Sequence, residues 1–200
     1  MIVPPSVGAG RILLRALSPL DIDVLHAAYS DDSLWWEQGA EPPPPTFLTV
    51  EYLQALIYQR RMGLVNEVFW VICLQEHGVG AAPIGQCSLT DYNARSHGME
   101  VGLEIFARGF RGQGLGGEIL GCLCRIGFEG LGLRALTAQI HEENRPSLRL
   151  FERFGFCRVG RRWQAARIRN RYVNMLDYRR LADGSGSGHS SSGMPALPAQ

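Results

Sequence analysis

Short stretches of β-branched and aromatic residues, or of alternating apolar and polar residues, recur along the chain and predict the strands of a sheet. They lie at residues 11–17, 68–74, 83–90, 100–106, 135–140, 156–159 and 172–178. In the fourth stretch, Val101, Leu103 and Ile105 fall on one face of the strand, and Glu100 and Glu104 fall on the other. The short connection between the second and third stretches favours an antiparallel hairpin.

Apolar residues at helical spacing predict four helices between these strands. They cover residues 19–29, 50–61, 118–128 and 146–154, and Ser18 is a suitable N-cap for the first. Four prolines at 42–45 predict a stiff connector, and the glycine- and serine-rich composition after Ala182 predicts a flexible tail. The expected organisation is a leader at residues 1–9, one domain at 10–182 and a tail at 183–200.

A glycine-rich turn, Arg111-Gly112-Gln113-Gly114-Leu115-Gly116, joins the fourth predicted strand to the central predicted helix. Such a turn presents bare N–H groups at the positive end of a helix dipole, which is a binding site for phosphate. Glycine is required there because a Cβ would block the approach of the backbone to the ligand.

A dinucleotide is one candidate for the phosphate ligand. Gly112, Gly114 and Gly117 satisfy G-x-G-x-x-G, and Glu142 lies beyond the next predicted strand, where it could bind a ribose hydroxyl. The context argues against this interpretation, because residues 107–110 separate the strand from the turn and half of the chain precedes it.

An acyl-coenzyme A is the second candidate, and three motifs favour it. Arg111, Gly114 and Gly116 match the pattern Arg/Gln-x-x-Gly-x-Gly/Ala, and residues 144–156 resemble an Asn-x-x-Ser helix that ends in Gly-Phe. An opening strand and helix at 11–21 complete the set. In this order the motifs resemble those of the GCN5-related N-acetyltransferase (GNAT) superfamily, in its ribosomal-protein N-acetyltransferase-like (RimJ/RimL-type) branch.

The resemblance implies a mixed α/β (α+β) fold, with a mostly antiparallel central sheet of about seven strands flanked by about four helices. It also implies acetyl-CoA as co-substrate and transfer of the acetyl group to a primary amine by direct attack in a ternary complex. Implied coenzyme contacts come from the strand before the turn, from the turn itself and from the second motif. These residues are Ile105, Phe106, Arg111, Gly112, Gln113, Gly114, Leu115, Gly116, Asn144 and Phe151.

The catalytic groups are less well defined. Glu100 and Glu104 are the candidates for the base, with a solvated pair or a salt bridge as the alternative interpretation. Many members of the family have a proton-donating tyrosine where this chain has Phe151, so the acid is open, and Ser147 is a candidate for it. Ser147 could equally cap its helix, and His141 is considered more weakly as a catalytic group.

The acceptor segment, by the same resemblance, carries Asp31, Asp32, Trp35, Trp36 and Glu37, and its carboxylates and aromatic rings suit a cationic amine. A protein or peptide N-terminus, a polyamine and an aminoglycoside-like antibiotic remain open as acceptors. A function of another class is a non-catalytic acyl-CoA-binding module, which the missing tyrosine would favour.

Composition narrows the remaining possibilities. The net charge of +1 gives no reason to expect nucleic acid or an anionic membrane as partner, and no apolar run approaches a membrane span. The five cysteines have no metal-like spacing, so we expect no metal. The chain start lacks the pattern of a signal peptide, so we expect a cytoplasmic protein, as a monomer or a homodimer.

Overall fold

The computed structural model describes residues 4–44, 49–62, 64, 67–78 and 80–183. Within these residues, eight strands form one sheet. The strands are β1 (Val7–Ala9), β2 (Ile12–Arg15), β3 (Glu67–Leu74), β4 (Gly85–Asn93), β5 (Gly98–Glu104), β6 (Ala135–His141), β7 (Cys157–Ile168) and β8 (Arg171–Leu181). The α-helices are α1 (Ile22–Tyr29), α2 (Asp32–Gln38), α3 (Val50–Met62), α4 (Leu115–Arg125) and α5 (Arg145–Arg153).

The strands are ordered β1-β2-β3-β4-β5-β6-β8-β7 across the sheet. Neighbouring strands are antiparallel except for β5 and β6, which are parallel. The expected mixed, mostly antiparallel sheet with flanking helices is therefore confirmed. In the described ranges it has one strand and one helix more than expected, because β1 lies in the predicted leader and α2 lies in the acceptor segment.

Some expectations fall outside the described residues. These are the part of the leader at residues 1–3, the connector at Pro45 and the tail from residue 184 onwards, so the flexible tail stays a prediction. None of the helices in the part of the chain that the structure describes is long and apolar enough to cross a membrane.

The two faces of the sheet carry different helices. Helices α4 and α5 cover one face, where Val101, Leu103 and Ile105 of the β5 region pack against them as the alternating pattern predicts. Helices α1 to α3 cover the β2–β3 part of the opposite face, where Phe69 and Phe106 join their apolar cluster. The side chains of β5 that alternate with Val101 and Leu103 therefore lie on the face that carries α1 to α3.

Two neighbouring strands in the centre of the sheet, β5 and β6, separate after a short paired stretch. Strand β5 pairs with β6 only from Gly98–Ala135 to Glu100–Thr137. Beyond that point β5 continues along β4, and β6 continues along β8 as far as His141. We call the space between residues 101–106 and residues 138–141 the slot. It opens in the direction of the glycine turn, because β5 leads into that turn.

A buried ion pair fixes the start of α1. Ser18 is an N-cap, as the sequence predicts, but it caps a 3-10 turn at residues 19–21 rather than the α-helix itself, and its own N–H donates to Asp21 at 2.8 Å. Arg15 of β2 donates to both carboxylate oxygens of Asp21 at 2.8 and 2.7 Å. Because this end of α1 is held against the sheet, Tyr29 at the other end reaches β4, where it contacts Gln86.

Candidate active site

The glycine turn exposes a continuous row of backbone donors. Gly112 and Gly114 have φ values of +74° and +84°, which favour glycine, and α4 begins directly afterwards. In the described part of the chain, the N–H groups of residues 112–116 donate to no carbonyl, and the first that does is Gly117, to Gly114 at 3.0 Å. Five N–H groups without a carbonyl partner at the start of an eleven-residue helix have the arrangement that binds anions in other proteins.

Side chains on both sides hold this turn in place. Arg11 donates to the Gln113 carbonyl at 2.7 Å and lies 2.6 Å from the Glu118 carboxylate. Gln113 donates from its side chain to the Gly109 carbonyl at 2.7 Å. Arg11 and Glu118 were not predicted as site residues. They are 107 positions apart, and nothing in the local sequence of either indicates the contact.

The backbone at the slot is also available for bonding. Neither the Ile105 nor the Phe106 N–H donates to a backbone carbonyl among the described residues. The next residue, Ala107, donates to Ile84 at 3.0 Å, which keeps the chain on the β4 side of the slot. Two adjacent donors are thus open where the resemblance predicts coenzyme contacts.

Arg111 is engaged by the protein itself. Its Nε donates to the Ile105 carbonyl at 2.6 Å, and its Nη1 lies 2.8 Å from a carboxylate oxygen of Glu37. The guanidinium therefore links the end of β5 to α2 across the mouth of the slot. The predicted role of Arg111 in binding the coenzyme stays a prediction.

Glu104 has the most strongly perturbed carboxylate of the predicted site. Burial raises its pKa to about 7, and Glu37 adds to the shift. Hydrogen bonds from the side-chain amides of Gln38, at 2.5 Å, and Gln86, at 2.9 Å, oppose the shift, as does the charge of Arg111. A carboxyl group with a pKa near neutrality can accept and release protons under ordinary conditions.

Glu100 lies where the slot closes, because it belongs to the last paired position of β5 and β6. It is four residues from Glu104, or about 13 Å along the strand. Gln139 of β6 donates to it at 2.9 Å. Burial and then Asp91 raise the pKa of Glu100, whereas Gln139 and Arg162 oppose the rise. Both predicted carboxylates thus lie on the same face of the sheet, at different depths of the slot.

The start of α5 is connected to α2. The Asn144 side chain caps α5 by accepting from the Ser147 N–H at 3.2 Å, and it donates to the Glu37 carbonyl at 2.9 Å. His141 Nε2 lies 2.9 Å from the same carbonyl, which can only accept, so Nε2 is the protonated nitrogen. Burial lowers the pKa of His141, which favours the neutral ring. His141 thus has a structural contact, and Asn144 has both a cap and a tether.

Phe151 packs into the core between α5 and the sheet. It is 5% exposed, and its ring meets that of Phe156 edge to face at 5.0 Å. Ser147, one turn earlier, has a hydroxyl with no hydrogen-bond partner among the described residues. Of Phe151 and Ser147, only Ser147 therefore has a hydroxyl proton that it could donate.

Helix α2 accounts for several acidic and aromatic residues of the acceptor segment. Asp31 caps α2 and pairs with Arg108 at 3.1 Å. Trp35 donates from its indole to the Tyr29 carbonyl at 2.8 Å, and the Arg169 guanidinium lies 4.2 Å from the Trp36 ring centroid. The guanidinium groups of Arg108 and Arg169 thus already contact the Asp31 carboxylate and the Trp36 ring, two groups that could bind a cation. No group of residues in the described ranges could hold a metal ion.

Comparisons with known sequences find relatives of this chain among acetyltransferases. A family model described as acetyltransferase (GNAT) domain matches residues 11–157. The uncharacterized N-acetyltransferase YoaA of Bacillus subtilis (strain 168) is 26% identical over 158 residues, which cover 78% of this chain and 85% of that protein.

Solved structures share the fold. A spermidine N-acetyltransferase from Vibrio cholerae, in complex with CoA and spermine, has a TM-score of 0.74 at 21% identity and covers 86% of this chain and 95% of its own. RimJ of Mycobacterium smegmatis, in complex with CoA-disulfide, has a TM-score of 0.75 at 18% identity and covers 90% of this chain and 88% of its own. At these identities the likeness concerns the course of the backbone.

Proposed function

This chain belongs to the GNAT acetyltransferase family, and we propose that it moves the acetyl group of acetyl-CoA to the α-amine of a protein or peptide N-terminus. The observation that carries the proposal is the alignment of three features along one path. They are the five unpaired N–H groups of residues 112–116, the open slot, and Glu104 beside that slot.

The coenzyme would occupy the turn and the slot in sequence. Its pyrophosphate would lie on the donors of residues 112–116, since anions bind at helix N-termini. Its pantetheine arm would then run beside Phe106 and Ile105, whose N–H groups are open. Solved neighbours of the same fold contain CoA, which supports this placement.

The reaction needs a base, an oxyanion donor and a proton for the leaving group. Glu104 would take a proton from the ammonium form of the acceptor, and the neutral amine would attack the thioester carbonyl carbon. The N–H of Ile105 or Phe106 would stabilise the negative oxygen, an interaction that can lower the barrier by about 3 kcal/mol. The carbon–sulfur bond would then break, and the extra proton on the attacking nitrogen would pass through Ser147 or water to the departing thiolate, which leaves a neutral amide and the CoA thiol.

The pKa of Glu104 favours an N-terminal amine over a polyamine. An α-ammonium has an ordinary pKa of about 8, whereas an alkyl ammonium such as that of lysine has one of about 10.4. The pKa of Glu104, about 7, is lower than that of an α-ammonium by about one unit and lower than that of an alkyl ammonium by more than three units. Proton transfer from an α-ammonium therefore has the smaller cost.

A polyamine is the second candidate acceptor, because a solved neighbour is a spermidine N-acetyltransferase in complex with spermine. Two of the three carboxylates of the acceptor segment are already engaged, however. Asp31 pairs with Arg108 and Glu37 pairs with Arg111. We therefore rank this acceptor below a protein N-terminus.

An acceptor panel tests the proposal. Release of the CoA thiol is measured with N-terminal peptides, with spermidine and spermine, with an aminoglycoside and without acceptor. We expect turnover with peptides that have a free N-terminus and none with the same peptides blocked at the N-terminus. Turnover with the polyamines alone would reverse the ranking. Saturable acetyl-CoA binding without transfer to any acceptor would instead favour the non-catalytic module.

A pair of matched variants distinguishes whether Glu104 or Glu100 is the base. We expect Glu104→Gln to lower kcat by about 100-fold or more, with the dissociation constant for acetyl-CoA unchanged, because only proton transfer is removed. Glu100→Gln keeps the same shape at the closed end of the slot and should change kcat by less than about fivefold. The opposite ranking would assign the base to Glu100.

A further inference from the structure

A line of polar side chains runs from the last residue of α1 to the proposed base. The Tyr29 hydroxyl donates to Oε1 of Gln86 at 2.6 Å. Nε2 of Gln86 in turn donates to Oε2 of Glu104 at 2.9 Å. From the other side, Nε2 of Gln38 donates to Oε1 of Glu104 at 2.5 Å. Each carboxylate oxygen of Glu104 therefore receives one amide donor.

The orientation of the Gln86 amide decides whether it stabilises or repels the Glu104 charge. An amide has a donating and an accepting end, and a rotation by half a turn would place Oε1 against the carboxylate. Tyr29 opposes that rotation by donating to Oε1, a bond that would be lost if the amide turned. Burial raises the pKa of Tyr29, so its hydroxyl keeps its proton at and above neutral pH.

We infer that Tyr29 and Gln86 are positioning residues, because Tyr29 fixes the Gln86 amide with its donor towards Glu104 and so holds that carboxylate in place. The inference deepens the proposed function and rests on it only for the catalytic role of Glu104. Neither Tyr29 nor Gln86 need touch substrate. Their effect is on the geometry and charge of the base.

Other charged groups close to Glu104 are already balanced. Glu37 of α2 and Arg111 of the turn act on it in opposite directions and pair with each other at 2.8 Å. On the far side of Tyr29, Arg60 of α3 pairs with Glu67 of β3. The amide donors of Gln38 and Gln86 are thus the directed contacts that oppose the effect of burial on the carboxylate.

The test uses Tyr29→Phe and Gln86→Met, with Tyr178→Phe as the matched control. Tyr178 is also buried, and its hydroxyl donates to a carboxylate, Glu152, at 2.8 Å. The control therefore loses a comparable hydroxyl and hydrogen bond on the face of the sheet that carries α4 and α5, opposite the face on which Glu104 lies. Circular dichroism and the melting temperature establish that each variant is folded.

The first readout is the pKa of Glu104 itself, measured by carbon-13 NMR on protein with labelled glutamate carboxyls and assigned with Glu104→Gln. We expect Gln86→Met to raise this pKa by about one unit, since a directed donor to the charged form is lost. Tyr29→Phe should raise it by about half a unit, because the amide becomes free to turn. Tyr178→Phe should leave it unchanged.

The second readout is the rise of kcat/KM with pH. A higher pKa of the base moves that rise to higher pH, so Tyr29→Phe should lose activity at neutral pH and recover it in alkali, unlike Glu104→Gln. An unchanged Glu104 pKa in folded Tyr29→Phe and Gln86→Met would overturn the inference. A shifted NMR pKa with an unshifted rate profile would uphold the inference and remove Glu104 from its catalytic role.

Discussion

Glu104 and Phe151 show how burial affects a charged and an apolar side chain of this site differently. Burial raises the pKa of Glu104 because the charged form loses water, and two amide donors return part of that stabilisation. Phe151 is buried as well, but its ring has no polar atom and only packs against Phe156. Burial thus shifts the protonation of a carboxylate, whereas it gives an aromatic ring only packing contacts.

A hydroxyl at Phe151 tests whether this chain has lost an acid or simply has a core residue there. Phe151→Tyr would place a hydroxyl at a position only 5% exposed. We expect a loss of about 1–2 kcal/mol in the free energy of unfolding, because the hydroxyl is buried without an evident partner, and no gain in kcat.

Thermal unfolding and the thiol-release assay measure the two effects together. Phe128→Tyr is the control, because Phe128 is partly exposed and its added hydroxyl can reach water. A faster Phe151→Tyr enzyme would show that a missing acid limits transfer.

At the scale of elements, the sequence is most informative where local pattern and local structure coincide. Alternation predicts which side chains of β5 face the core, and the glycine spacing predicts the turn that exposes residues 112–116. The family resemblance, confirmed by the family model, predicts the sheet and the co-substrate class. Helix α2 escapes prediction because its seven residues have no clear apolar stripe. Strand β1 escapes because it has only three residues.

Contacts between distant elements are the part that sequence cannot supply. The Glu37 carbonyl meets Asn144 and His141 more than 100 positions away, and no pattern in α2 points to them. The parting of β5 and β6 is of the same kind, because both strands look regular in sequence. Beyond the parting, the chain after β5 is bonded to the β4 side by Ala107, which donates to Ile84.

The glycine turn offers a matched pair of substitutions. A Cβ at Gly112 or at Gly109 would meet nothing within 4 Å, but only Gly112 has a positive φ, +74°. We expect Gly112→Ala to weaken acetyl-CoA binding about tenfold, because a strained residue relaxes the turn away from the form that presents its donors. Gly109→Ala should bind as tightly as the parent.

Titration calorimetry with acetyl-CoA gives both dissociation constants. Equal weakening in the two variants would mean that a methyl group anywhere in this stretch obstructs the ligand. No weakening in either would place the pyrophosphate elsewhere.

At the scale of the whole molecule, all 20 basic residues are arginine, and the sequence contains no lysine. A guanidinium stays protonated at any ordinary pH, so it cannot attack a thioester as an amine does. No side chain of these 200 residues therefore offers a primary amine. An acetyl-transferring protein with this composition has almost no amine of its own to modify.

Prolonged incubation with acetyl-CoA should leave at most one acetyl group on the protein after neutral hydroxylamine has removed any from thiols such as exposed Cys157, and intact-mass spectrometry measures that number. A lysine-rich protein in the same tube should accumulate several by spontaneous chemistry. Two or more acetyl groups on this chain would show that side chains other than amines accept the group.

The parted strands have a consequence for handling the protein. Two strand edges face each other inside the sheet, and one of them carries the open N–H groups of Ile105 and Phe106. Such edges attract extended polypeptides, including those of a neighbouring molecule. If the pantetheine arm takes the place of a missing strand there, as we propose, the same edges would favour aggregation when the coenzyme is absent. Storage and crystallisation with the ligand in excess should therefore preserve the protein better than storage alone.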